Sequence, residues 1–380
     1  MPAASEHRDS NSSQGRALER ARPAQERFGE LGGWPGILGR LFTGEDLGEQ
    51  DASAAFEEIL AGRATPSQTA AFAAALRTKG ESVAELTGFV AAMRAYGEDV
   101  PIDSPDAIDT CGTGGDGSGP INVSTLAALV AVAGGATVCK HGGRAASSLA
   151  GSADVLESLG VVVGLGPEGV ARCVREAGIG FCLATRFHPA MRHAAPVRRE
   201  LGVATVFNVL GPLVNPGRVR RQVVGVGDVS MAERMLRVLE SNGAVHVMVV
   251  HGRDGIDELS TTAPTDVLEL VVDESGEVER RCYVVDPREL GLAPSDVASL
   301  RGGDPSENAE RARAVLTGAA GPQRDVVALN AAAAFVVAGI VADLAAGLEL
   351  AVSVLESGEA ERVLARLVRV SGEASLAGLC

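Results

Sequence analysis

The chain has 380 residues, 46% of them hydrophobic and 22% charged, with a formal net charge of -15. That length supports a large core and more than one domain. So acidic a chain suits nucleic acid poorly, because such binding rests on neutralising phosphates. No apolar run reaches the roughly 18 residues a membrane span needs.

Residues 1–32 are polar, charged and rich in Ser and Gln. They read as a disordered tail with no apolar face to bury, and they lack the apolar core of a signal peptide. From 33 to about 100 the pattern is helical. Thr65-Pro66-Ser67-Gln68 and Ser82 with Glu85 each spell a capping box, and no strand interrupts them. This stretch is predicted to be a small all-helical domain. After Pro101, short β-rich runs alternate with amphipathic helices. Strands are expected at 107–111, 137–139, 161–163, 223–226 and 246–250, and helices at 124–133, 152–159 and 231–240. Strand–helix–strand repetition implies an α/β fold with a parallel sheet and right-handed crossovers. Residues 308–370 read as largely helical and Ala-rich. The six cysteines form no CxxC pair, which suits reduced thiols in a cytoplasmic protein.

Four segments carry chemistry. Cys111-Gly112-Thr113-Gly114-Gly115-Asp116-Gly117 follows a predicted strand. Its glycines let backbone N–H groups approach an anion, although a plain Gly-rich turn fits the same residues. Asn122-Val123-Ser124-Thr125 then opens an apolar helix, so that hydroxyls and the helix N-terminus face the same point. The segment is neither a P-loop nor a dinucleotide fingerprint. Second comes Lys140-His141-Gly142-Gly143-Arg144, running on to Gly151-Ser152. Lys79 and Lys140 are the only lysines in a chain with 34 Lys and Arg together. A Lys held between a strand end and a Gly turn therefore points to a compact charge for a diphosphate, with a solvated loop as the alternative. Third, Asp254-Gly255-Ile256-Asp257-Glu258 follows a strand. Adjacent carboxylates there suit Mg²⁺ and equally suit a polar turn. Fourth, the His188-Pro189 segment leads to Arg198. Arg198 can clamp a carboxylate, while capping or surface pairing is the plainer reading of it and His188 taken alone.

Together these motifs resemble the anthranilate phosphoribosyltransferase family from about residue 35 to the C-terminus. The resemblance implies a small helical domain plus a large α/β domain, similar to the nucleoside phosphorylase fold. The helical domain would comprise 33–100 with a returning segment near 188–214. The large domain would comprise 101–187 and 215–380. The resemblance also implies a pentosyltransferase of tryptophan synthesis, usually a homodimer joined through the small domain. Its substrates would be phosphoribosyl pyrophosphate and anthranilate, and its cofactor Mg²⁺. By motif, Gly112, Gly114, Gly115, Asp116, Asn122, Val123, Ser124, Thr125, Lys140 and Ser152 would hold the donor. Ser124, Asp257 and Glu258 would bind Mg²⁺. Arg198, Gly112 and Gly143 would contact anthranilate, with His141 near the acceptor, and Lys140, Arg198 and His141 are the candidate catalytic residues.

Two departures stand out. The family commonly has an acceptor-contacting Asn where Gly143 stands and a phosphate-contacting Thr where Pro120 stands. Competing readings are a phosphoribosyltransferase for another aromatic acid, a nucleoside phosphorylase, and a non-catalytic nucleic-acid-binding paralogue. The intact carboxylate pair disfavours the second and the net charge of -15 the third.

Overall fold

The computed structural model of the protein describes residues 23–114, 119–145 and 149–380. The chain divides into two compact units. One runs to Gly97 and takes in Ala190–Thr205; the other comprises Glu98–Pro189 and Val206–Cys380.

The first unit is helical: α1 (residues 23–30), α2 (Gly33–Phe42), α3 (Glu49–Leu60), α4 (Pro66–Lys79), α5 (Val83–Tyr96) and, tenth in chain order, α10 (Ala195–Leu201). Both predicted capping boxes form, Thr65 with Gln68 and Ser82 with Glu85. An aromatic chain fills the core, with Trp34 edge-on to Phe72 at 5.6 Å and Phe72 edge-on to Phe89 at 5.7 Å. Gly88 lets α5 lie against α3, since a methyl there would overlap the Glu49 carbonyl. Glu85, fully buried, accepts from Leu47 N–H at 3.0 Å, Ser82 N–H at 2.8 Å and Lys79 Nζ at 2.9 Å. Lys79 is thus committed to structure.

The expectation of a disordered tail to residue 32 needs correction over residues 23–30, which are helical. Arg27 pairs with Asp51 at 2.7 Å, and the Phe28 ring meets Trp34 at 5.4 Å. An aromatic contact and an ion pair help to anchor this helix, which has no apolar periodicity to announce it. Residues 1–22 lie outside the described residues.

The second unit holds a seven-stranded sheet in the order β3-β2-β1-β4-β5-β6-β7. The strands are β1 (Ile108–Gly112), β2 (Val138–Gly142), β3 (Ile179–Leu183), β4 (Arg221–Gly225), β5 (His246–Gly252), β6 (Thr265–Val272) and β7 (Val278–Val285). Pairing is parallel from β3 to β5 and antiparallel from β5 to β7. Parallel strands are covered on both faces, and β3 is buried along its whole length. Residues 161–163, expected as a strand, form an extended link with no ladder. Val161 and Val163 are apolar because they plug the core, at 4% and 3% exposure. The antiparallel β6–β7 hairpin was not foreseen.

The helices here include α6 (Val123–Ala133), α7 (Ser152–Ser158), α8 (Pro167–Ala177), α9 (Ala184–Phe187), α11 (Val206–Val209), α12 (Ala232–Ser241) and α13 (Val297–Leu300). The C-terminal group is α14 (Pro305–Leu316), α15 (Pro322–Val337), α16 (Leu344–Ser357) and α17 (Glu359–Leu376). From Val326 to Val337 every residue of α15 is buried, as expected of a helix apolar on all sides. Among the described residues no helix is long and apolar enough to cross a membrane. From β1 the chain passes to β2 on one side, whereas β4 flanks β1 on the other. Ligands of open parallel sheets bind at such a switch point, beyond the carboxyl ends of the strands.

Candidate active site

At that switch point β1 and β4 end in register at Gly112 and Gly225. Both glycines make room for the loop after β5. A methyl on Gly225 would overlap the Asp257 carbonyl oxygen, and one on Gly112 the Asp257 carboxylate. With that space open, Asp257 Oδ2 accepts from Gly114 N–H at 2.7 Å, and Glu258 Oε1 accepts from Ser124 N–H at 3.1 Å. Two adjacent carboxylates thus meet the first glycine loop and the first turn of α6, where the helix dipole favours negative charge.

Lys140 reaches the same point from β2. It is 2% exposed. Its Nζ donates to Thr110 O and, at 3.4 Å, to Ser124 Oγ. Behind Lys140 lies Asp109, fully buried. Asp109 accepts from Asn215 Nδ2 at 2.7 Å and His141 N–H at 3.3 Å. Burial raises its pKa against the opposing pull of Lys140. Asn330 clamps the loop from α15, accepting from Leu259 N–H at 3.0 Å and donating to Leu259 O at 2.9 Å.

The second glycine loop closes on itself. Ser152 Oγ donates to Gly143 O at 3.2 Å. Asp154 accepts from Ala145 N–H and Gly151 N–H, each at 2.9 Å. Arg144 is drawn to Asp154 at 2.9 Å and Glu157 at 2.6 Å, so carboxylates already hold its guanidinium. Asn122 Nδ2 donates to Ala150 O at 3.2 Å, joining this loop to the exit of the first. Val123 buries its side chain at 1% exposure and offers only backbone to a ligand. Thr125 carries a buried hydroxyl with no hydrogen-bond partner among the described residues. Gly115 and Asp116 lie outside the described residues.

His141 Nδ1–H donates to Gly211 O at 2.9 Å, which leaves Nε2 as a bare acceptor, buried and without a partner among the described residues. The His188 ring lies 5.2 Å away and donates from Nε2 to Val214 O at 3.1 Å. Burial, then the neighbouring His188, pushes His141 down to about 4; burial also pushes His188 down to about 4. Both rings are neutral at pH 7. Arg198 belongs to the other unit, on α10, where burial lowers the pKa of its guanidinium.

The residues present fit Mg²⁺. That ion takes one or two carboxylates and completes its shell with water and substrate phosphate, and Asp257, Glu258 and Ser124 supply hard oxygen donors at one place. Among the described residues no group of three His, Cys, Asp or Glu is placed to hold a metal ion. Asp109, Asn215 and Asn330 were not identified from sequence as parts of this site.

Comparison with known proteins gives a consistent result. Residues 104–361 match the α/β domain of a glycosyl transferase family, and residues 35–97 its helical bundle domain. The chain is 51% identical over 333 residues to the anthranilate phosphoribosyltransferase of Roseiflexus castenholzii, covering 87% of this chain and 96% of that one. It is 52% identical over 334 residues to that of Thermomicrobium roseum, covering 87% and 95%. Among solved structures, the anthranilate phosphoribosyltransferase of Thermus thermophilus matches with a TM-score of 0.81 at 44% identity, covering 88% of this chain and 98% of that one. The Saccharomyces cerevisiae enzyme in complex with PRPP and Mg matches with a TM-score of 0.77 at 27% identity, covering 86% and 94%.

Proposed function

This chain belongs to the anthranilate phosphoribosyltransferase family, and from that premise we propose how its residues carry the family's reaction. The reaction moves the phosphoribosyl group of phosphoribosyl pyrophosphate to anthranilate, giving N-(5-phosphoribosyl)anthranilate and pyrophosphate, a step of tryptophan synthesis. The observation that carries the reading is the meeting of two anion-directed features and one cation-directed pair at the β1/β4 switch point. They are the first turn of α6, the buried Lys140 and the Asp257–Glu258 pair.

The bond from C1 of the ribose to pyrophosphate breaks as the aryl amine nitrogen bonds to C1. Negative charge then builds on the leaving group. Lys140 meets that charge in a site fixed beforehand, where a donor does most for a transition state, and the dipole of α6 acts in the same sense. When bound, Mg²⁺ held by Asp257, Glu258 and Ser124 neutralises the diphosphate further. Asn122, Thr125 and Ser152 complete the donor site, together with Gly112, Gly115, Asp116 and the backbone of Val123. An aryl amine is already neutral at pH 7, so no strong base is required to make it a nucleophile, and the proton its nitrogen sheds once bonded to C1 leaves with the released pyrophosphate or to water. Arg198 grips the acceptor carboxylate, with Gly112 and Gly143 beside the ring. Neutral His141 offers Nε2 as an acceptor near the amine. We propose further that two copies pair through the helical unit, where Phe42 and Val203 are 68% and 65% exposed. Six unpaired cysteines support a reducing compartment, the cytoplasm.

Steady-state kinetics on two variants tests the acceptor assignment. Among the described residues a Cβ at Gly143 would meet only the Ala184 methyl, at an ordinary contact distance of 3.9 Å, so Gly143→Asn tests the effect of an added amide. One added hydrogen bond lowers the anthranilate KM by about 2- to 12-fold and leaves the donor KM unchanged. Arg198→Ala raises the anthranilate KM far more than the donor KM. If Gly143 instead makes room for another aromatic acid, Gly143→Asn suppresses that acid's turnover and improves anthranilate.

A further inference from the structure

A short strap from the far end of the unit holds the exit of the first glycine loop. Ile121 N–H donates to Leu300 O and Gly302 N–H to Gly119 O, each at 2.9 Å, around a bridge between Pro120 and Arg301. Just beyond the strap, in the first turn of α14, stands Asn308, 4% exposed. Its Oδ1 accepts from Gly303 N–H at 2.7 Å, and its Nδ2 donates to Asn122 Oδ1 at 3.1 Å. Asn122 Nδ2 in turn donates to Ala150 O at 3.2 Å. Gly302 permits the approach, because a Cβ there would come within 2.7 Å of Asn308 Oδ1.

This relay has a fixed direction. Gly303 N–H can only donate and Ala150 C=O can only accept, so neither amide can turn round without setting like against like. Asn122 is thereby held between the two glycine loops. Its own carbonyl accepts from Thr125 N–H and Leu126 N–H, each at 3.1 Å, so the start of α6 is placed with it.

We infer that Asn308 is a positioning residue for the phosphoribosyl pyrophosphate site, acting through Asn122 to fix the spacing of the two glycine loops at the N-terminus of α6. This rests on the reading of Asn122 as a donor-site residue.

The test is a double-mutant cycle on the full chain with Asn122→Ala, Asn308→Ala and the pair, plus Asn308→Asp. Donor and acceptor KM, kcat, and calorimetric binding of phosphoribosyl pyrophosphate are measured. Asn308→Ala is expected to raise the donor KM about 10-fold, to leave kcat within about threefold, and to leave the acceptor KM unchanged. Asn308→Asp keeps the shape and still accepts from Gly303, but it turns an oxygen toward Asn122 Oδ1. It is expected to do at least as much damage as Asn308→Ala, whereas a space-filling residue would tolerate it. The paired variant is expected to be no worse than Asn122→Ala alone.

Donor KM values for both Asn308 variants within about twofold of the parent, with Asn122→Ala impaired, overturn the inference and leave Asn122 in the donor site. Independent, multiplying effects in the pair overturn it too. An unimpaired Asn122→Ala overturns the inference together with the reading of Asn122. If Asn308→Ala does not fold, donor binding by soluble Asn308→Asp decides.

Discussion

Turnover at limiting Mg²⁺ falls by at least about a thousandfold when Asp257→Asn and Glu258→Gln are combined, while the fold survives. The split follows from what each oxygen does. Asp257 Oδ2 and Glu258 Oε1 accept backbone N–H groups of Gly114 and Ser124, and an amide oxygen can accept the same bonds. Loop, α6 terminus and melting temperature are therefore preserved. The two negative charges are not, and an amide pair has little hold on Mg²⁺. Raising Mg²⁺ should restore part of the rate in either single variant and little in the double. Mn²⁺ titration of the double variant, followed by paramagnetic resonance, checks the loss of binding apart from activity. Parent activity that persists in EDTA, or a double variant retaining a tenth of it, contradicts the metal role.

Lys140→Met is expected to lower kcat/KM for phosphoribosyl pyrophosphate by about 10²- to 10³-fold, with a much smaller change in the anthranilate KM. Methionine keeps an unbranched apolar stem one atom shorter than lysine's and removes the charge and the donors. The ammonium is 2% exposed and bonded to Thr110 O and Ser124 Oγ, so no neighbouring solvent replaces it. Its loss also leaves a buried carbonyl short of a donor and Asp109 short of its nearest cation, at a stability cost of about 1–3 kcal/mol. The chain contains its own control. Lys79, the other lysine, is bound to Asp46 and Glu85 inside the helical unit. Lys79→Met should lower the melting temperature and leave both KM values alone. Stopped steady-state assays beside thermal unfolding separate the two; a Lys140→Met enzyme with more than a tenth of parental kcat/KM removes Lys140 from the mechanism.

What the sequence disclosed about this site was local. Glycines after a strand, a rare lysine near a strand end and two adjacent carboxylates are signals within a few residues; the glycines follow β1, the carboxylates stand in the loop after β5, and Lys140 lies within β2, which runs on to Gly142. What it concealed was held across distance. Asn308 meets Asn122 across 186 positions and Asn330 meets Leu259 across 71. A lone amide has no periodicity or spacing that marks it. Asp109 hides for another reason, since a carboxylate inside an apolar strand shows its role only once Asn215 and Lys140 are folded around it. The misread segments have physical causes as well. Valines at 161 and 163 signalled burial, which a strand and an extended core-facing link share. The helix at 23–30 carries Phe28 and Arg27 as docking side chains without an apolar repeat that would mark it.

One assay tests the transfer to anthranilate most directly. Purified protein is incubated with phosphoribosyl pyrophosphate, Mg²⁺ and a panel of aromatic acids, and products are identified by mass. The expected result is N-(5-phosphoribosyl)anthranilate with one pyrophosphate released per product, lost on adding EDTA. No detectable anthranilate product, with turnover of another acid or of none, would contradict it.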